Sequence, residues 1–299
     1  MSNLFQKTSS HWVRYSKYEY REGEDGVLYL TPAPKAKPDV YDPLKDADSM
    51  VLAALNVGRL CMHRAGDEKI QAAIMDFVSA YGLLGFMTAL PTTPDFVIHE
   101  AVYLPKNHFI REESLSTEEY LTYFFPFEKL DFRKTGQESV WSVENDRDML
   151  ALIMTFSDSP QAMSMSFQRE YAERYDWLVT QFRDWAFTFT ASFLYYEDYD
   201  RVDEATRNLY RQGMAAFGGI APTYHIALLD KPTIVWDFHS LLLGVQMMFS
   251  FMLTDEKRPL RACKHCSKIF AANHPNAAFC SPQCKNKYNV YKSRAKKEE

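Results

Sequence analysis

The sequence predicts a mainly α-helical body with a few short β strands, of α+β class, followed by a small module built on four cysteines. Three observations predict it. Apolar residues recur at helical spacing along most of the chain, and β-prone runs are confined to the first forty residues and two later stretches. Near the end, Cys263, Cys266, Cys280 and Cys284 fall in the spacing C-x2-C-x13-C-x3-C. With 299 residues, 46% of them apolar and 15% aromatic, the chain can bury one sizeable core and still carry a small second unit. The expected boundary divides an acidic body, residues 1–256, from a basic module, residues 257–299.

Taken in order, Val13 to Tyr20 and Val27 to Leu30 are β-prone runs joined by EGEDG, a hairpin connection. TPAPKAKPDVYDP, from Thr31 to Pro43, is punctuated by proline and reads as a surface crossing. Asp42 followed by Pro43 is a cap and first helical position, opening a helix that ends before Gly66. Ile70, Ile74, Phe77 and Tyr81 then lie on one face of a second helix. A proline-bounded strand is expected from Phe96 to Leu104, and Ser116 with Glu119 forms a capping box for a short helix through Tyr123. Ser159-Pro160 opens the longest helical pattern, whose face runs Phe167, Tyr171, Tyr175, Leu178, Phe182, Trp185, Phe189.

A further helix spans Asp203 to about Phe217, before Gly218-Gly219. His225 to Leu229 and Thr233 to Phe238 form a second hairpin around Asp230-Lys231-Pro232. The apolar helix from Ser240 to Leu253 contains Gln246 and is shorter than the roughly 20 residues a membrane span requires. MSNLFQKTSSHW has no apolar stretch of the kind a secretory signal needs, so the expected location is the cytoplasm.

Four thiolates at this spacing can close a tetrahedral site around one structural Zn²⁺, leaving no open position for a substrate. Cys263 and Cys266 bracket a tight turn, a knuckle whose backbone amides face the sulfurs. After Phe279, Ser281 caps a helix and Pro282 takes its first position, so that Cys280 and Cys284 present both sulfurs on one side. A knuckle giving two ligands and a helix start giving two is the treble-clef arrangement, with Phe270 and Phe279 as its shield. Along the helix, Cys284, Tyr288, Tyr291 and Ala295 share the face turned to the knuckle. Lys285, Asn289, Lys292 and Lys296 share another, widened by Lys287 and Arg294.

These residues resemble the CGNR zinc-finger family, bacterial DNA-binding regulators. The matching pieces are Cys263-Lys264-His265-Cys266, Phe270, the run from Phe279 through Cys280-Ser281-Pro282-Gln283-Cys284 to Lys285-Asn286-Lys287, and Tyr291 with Arg294. Lys285 replaces the family's glycine and Lys287 its arginine, so a contact needing the planar guanidinium fork is not carried over. The resemblance covers about the last forty residues.

Charge points the same way. The net charge of -5 conceals a segregation: eleven Lys or Arg lie between Lys257 and Lys297, with no Asp or Glu among them. A basic patch on an acidic protein favours a polyanion. The body has no H-E-x-x-H, G-x-S-x-G, P-loop or G-x-G-x-x-G, and no enzyme is expected. The sequence therefore predicts a zinc-dependent nucleic-acid-binding regulator, acting on DNA in preference to RNA. Lys285, Lys287, Asn289, Lys292, Arg294, Lys296 and Lys297 would contact nucleic acid. The body would form a homodimer or sense a small molecule, and no membrane is involved. The alternatives are RNA binding and a finger that docks on an acidic protein.

Overall fold

The computed structural model describes residues 8–9, 12–86, 101–103, 109–110, 114–116, 119, 126–127, 172–198, 201–216, 223–228, 230–237, 240–274 and 276–298. Among them the fold is mixed α/β, with several small sheets and six α-helices. The helices are α1 (Ala47–Met62), α2 (Asp67–Tyr81), α3 (Tyr175–Asp198), α4 (Glu204–Ala216), α5 (Leu241–Leu253) and α6 (Pro282–Glu298). Strands are short but more numerous than the sequence predicts. None of the described helices is long and apolar enough to cross a membrane.

The chain forms two compact units. The first comprises Met1–Asp46, Gln71–Leu178 and Gly219–Val245; the second comprises Ala47–Ile70, Val179–Gly218 and Gln246–Glu299.

In the first unit β1 (Thr8–Ser9), β2 (Trp12–Tyr15), β3 (Tyr18–Glu22), β4 (Leu28–Pro32) and β5 (Pro38–Tyr41) follow in order. The hairpin expected around EGEDG is β3–β4, in register from Tyr18↔Pro32 to Glu22↔Leu28. Val13 to Tyr20 is not one strand, because the chain bends after Tyr15, whose amide donates to the Tyr18 hydroxyl at 2.8 Å. The half before the bend pairs with β5, which occupies the stretch read as a surface crossing.

These strands also finish α2, whose Ile70, Ile74 and Phe77 are buried along the predicted face. The last carbonyls of a helix have no partner within it. Here Arg14 donates to Ala80 O at 2.6 Å, Tyr41 to Tyr81 O at 2.6 Å and, just past the helix, Trp12 Nε1 to Leu83 O at 3.2 Å. Gly82 ends the helix with φ +88, where a Cβ would also lie 2.7 Å from Val13 O.

Of the predicted strand from Phe96 to Leu104, β6 (Ala101–Tyr103) is described, paired with β7 (Ser114–Ser116); residues 96–100 and 104 lie outside the described residues. Ser116 Oγ accepts from Glu119 N at 3.1 Å as the capping box requires, though the helix through Tyr123 falls outside the description.

The long helix predicted from Ser159 is corrected. Residues 159–171 are outside the described set, but Glu173 and Arg174 form a strand, β8, paired with β4, and α3 begins only at Tyr175. Tertiary structure overrides the helical pattern here. The buried Glu173 carboxylate accepts from the amides of Leu84 at 2.8 Å and Phe86 at 3.2 Å, and from Gly85, three donors with no ladder of their own. The second predicted hairpin is present as β9 (Thr223–Leu228) and β10 (Pro232–Asp237), with β1 parallel to β10.

The second unit packs α1 against α3. The aromatic seam predicted for α3 is buried at Phe182, Trp185 and Phe189. A Cβ on Gly58 of α1 would overlap the carbonyl of Phe182, so glycine is what permits this approach. Asp203 caps α4 through Thr206 N at 2.7 Å.

Candidate metal centre

The cysteine segment opens with a hairpin the sequence reading missed, because each strand is only three residues long. β11 (Leu260–Ala262) pairs antiparallel with β12 (Ile269–Ala271), Arg261 opposite Phe270. Between them the knuckle is closed by Cys263 N to Lys268 O at 2.9 Å and Ser267 N to Cys263 O at 2.8 Å. Ser267 takes φ 59, a left-handed conformation that the turn imposes on a residue other than glycine. Lys264 N donates to Ala278 O at 3.0 Å, tying the knuckle to the chain that leads into the second cysteine pair.

That pair sits at the start of α6. Ser281 Oγ accepts from Cys284 N at 3.2 Å, the predicted cap, and Pro282 occupies the first helical position. Hairpin and helix start thereby bring all four sulfurs within 4.8 Å of one another, the one such His/Cys/Asp/Glu cluster among the described residues. Cys266 Sγ lies 3.7 Å from Cys280 Sγ and 3.8 Å from Cys284 Sγ, and the latter two are 3.6 Å apart. Metal–sulfur bonds of about 2.3 Å in a tetrahedron require sulfur–sulfur edges of about 3.8 Å. The four cysteines can therefore hold a metal ion.

The thiols are tuned unequally. Burial pushes Cys263 up, but the amides of Cys266, Cys280 and His265 bonded to its sulfur, with the Cys266 thiol, outweigh burial and bring it to about 6. Burial pushes Cys280 up to about 12, and the sulfurs of Cys284, Cys263 and Cys266 add to the rise. Each thiolate formed in so small a space raises the cost of the next, and a cation among them removes that cost. The fifth cysteine, Cys61, is buried on α1, where burial lifts its thiol to about 11. It takes no part in the cluster.

Aromatic rings flank the sulfurs. Phe279 meets Tyr288 with centroids 5.2 Å apart, and His265 of the knuckle stacks on Tyr291 of α6 at 5.7 Å. The face predicted to turn toward the knuckle does so at Tyr291, which nonetheless remains 57% exposed, while Tyr288 meets Phe279 before the second cysteine pair. Phe270 and Phe279 are half-buried.

The cluster is also anchored to a helix far away in sequence. Asn56 of α1 donates to Ile269 O at 3.1 Å and accepts from Ile269 N at 3.0 Å, so one carboxamide serves β12 as a neighbouring strand would. Arg258 adds an exposed ion pair with Asp48 at 2.8 Å. The signal for Asn56 was present, a carboxamide in the apolar helical run Ala53-Ala54-Leu55-Asn56-Val57, but nothing local names its partner.

Lys285, Lys287, Asn289, Lys292 and Arg294 are exposed along α6, which carries no acid in its first turn; Lys296 and Lys297 lie on its last turn. Lys285, Asn289, Lys292 and Lys296 recur at the spacing of a single helix face. No family model, no curated protein and no solved structure matches this chain.

Proposed function

We propose that the chain is a zinc-dependent nucleic-acid-binding protein, and more narrowly a cytoplasmic DNA-binding transcriptional regulator. In this reading its last forty residues form a treble-clef finger of the CGNR kind. The observation that carries the proposal is a juxtaposition: the helix that begins at the last two sulfurs is the one that exposes the basic stripe. Four thiolates at tetrahedral separations are the donor set of a structural zinc site, and zinc bound there cross-links the knuckle to α6 with no position left for catalysis. Cys263, Cys266, Cys280 and Cys284 hold the ion. Its effect is to fix the direction of α6, so that Lys285, Lys287, Lys292, Arg294, Lys296 and Lys297 meet successive phosphates and Asn289 lies between them. Specificity from one such finger is modest, and we include a homodimer in the proposal.

The test is a binding titration at several salt concentrations, with metal analysis of the same preparation. One zinc per chain is expected. If about five phosphates are neutralised, log affinity falls with log salt at a slope of about -4 to -5 on duplex DNA. A flat salt response sinks the proposal and leaves the finger as a module for docking on protein. RNA is the second reading, favoured by Tyr291, an aromatic residue that is 57% exposed on the helix that carries the stripe.

A further inference from the structure

Beside the sulfurs, on the side where α6 begins, the finger is hollowed by an open cleft of about 600 Å³. That volume falls within the 300–1,000 Å³ of small-molecule sites. Its walls include Phe270, Phe279, Asn273, Asn276, Ser281 and Lys285, and none of the described residues lining it is Asp or Glu. We propose that this cleft seats one unpaired nucleobase, so that the preferred ligand of the basic helix is single-stranded or locally unpaired nucleic acid rather than continuous duplex. The proposal rests on the nucleic-acid reading above and narrows its substrate class.

The walls supply what a base needs. Phe270 is fixed by its place in β12 opposite Arg261, and Phe279 by its contact with Tyr288, so two rings are held beside the cleft rather than free on a loop. Aromatic faces accept any base by stacking. Asn273 and Asn276 are exposed, and each carboxamide offers donors and an acceptor. Those are the groups that read the hydrogen-bonding edge of a base once it has left its stack. Among the described residues lining the cleft, a ligand with acidic side chains meets a single lysine, Lys285, whereas a planar heterocycle meets two rings and two amides.

Lys285 links the cleft to the stripe. It lines the cavity and is also the first member of the face that continues through Asn289, Lys292 and Lys296. A strand whose phosphates follow that face delivers a base to the cleft at its end. A base still paired within a duplex cannot enter without being unstacked first.

Fluorescence anisotropy on the metal-loaded full chain separates the two levels of the argument. The probes are a twelve-residue thymidine strand, its uridine counterpart, the corresponding DNA duplex, and an abasic deoxyribose-phosphate strand of equal length. Because a stacked base adds affinity that a bare sugar-phosphate lacks, the base-bearing single strands should bind about tenfold tighter than the abasic strand and tighter than the duplex. The double variant Asn273→Ala/Asn276→Ala changes only exposed residues, and Phe279→Leu keeps an apolar side chain without a planar face. Both should retain one metal per chain and fall toward the abasic affinity. Equal binding of single strand, duplex and abasic strand with a common salt slope overturns the base seat and leaves the phosphate-binding helix standing. Absence of salt-dependent binding to any probe overturns both.

Discussion

From residue 257 onward the described residues bury four apolar side chains, Leu260, Cys263, Ile269 and Ala272, whereas the short stretch from 12 to 36 buries Trp12, Val13, Tyr15, Tyr18, Tyr29, Leu30, Ala33 and Ala36. The amino-terminal strands are held by packed aromatic rings and by side chains that complete the ends of α2. The cysteine segment has too little apolar surface for that, and what it gathers instead is four sulfurs that could share a metal ion. Both regions also depend on one distant polar group. Glu173 gathers three amides in the first unit, and Asn56 gathers an amide and a carbonyl in the second. Loss of any metal held by the sulfurs and loss of a core contact should therefore injure different parts of the molecule.

The largest effect is expected from Cys284→Ser. A structural zinc site contributes apparent free energies of about 10–16 kcal/mol in finger peptides at neutral pH, so if the proposed zinc is bound here, loss of one thiolate should release it and unfold residues 260–298. Metal content should fall from one per chain to none, and hydrogen exchange should become fast in α6 while β3 and β4 stay protected. If β3 and β4 lose protection as well, the contrast between the regions collapses.

Glu173→Ala tests the opposite side. It leaves the amides of Leu84, Gly85 and Phe86 without their acceptor, at a cost of about 3–5 kcal/mol by urea unfolding. Metal content should not change. A stability equal to the parent chain would show that these amides find other partners.

The smallest effect is expected from Asn56→Ala, which removes a contact with β12 without touching the sulfurs. Ile269 N and O lose their partners, at about 1–3 kcal/mol, and the ion should pass to a competing chelator about tenfold more readily. Unchanged metal retention would mean that the finger holds its ion without help from α1.

What was legible in the sequence was what is local. The cysteine spacing, the Ser281-Pro282 cap and the face of α6 each concern residues within a few turns of one another, and the structure places the sulfurs together as that spacing requires. The β3–β4 hairpin and the buried seam of α3 were legible for the same reason. The β8 strand at Glu173 was not, because its backbone follows from a debt to residues 84–86 that no helical period encodes. Nor was β5, whose partner β2 lies beyond an intervening hairpin. The cleft is legible only in part: the sequence reads Phe270 and Phe279 as a shield and Asn273 to Asn276 as a polar connection, but nothing local shows that these residues line one cavity.

The Asn56–Ile269 contact joins residues 213 positions apart. As the chain leaves the ribosome, α1 is complete long before β12 exists, and its carboxamide must wait for nearly the whole polypeptide. Contacts of such long separation form late, after most of the loop-closure entropy has already been spent by other elements. The setting of the four cysteines against α1 is therefore completed at the end of maturation, and a chain stalled before Ile269 would leave the Asn56 carboxamide without its strand partner.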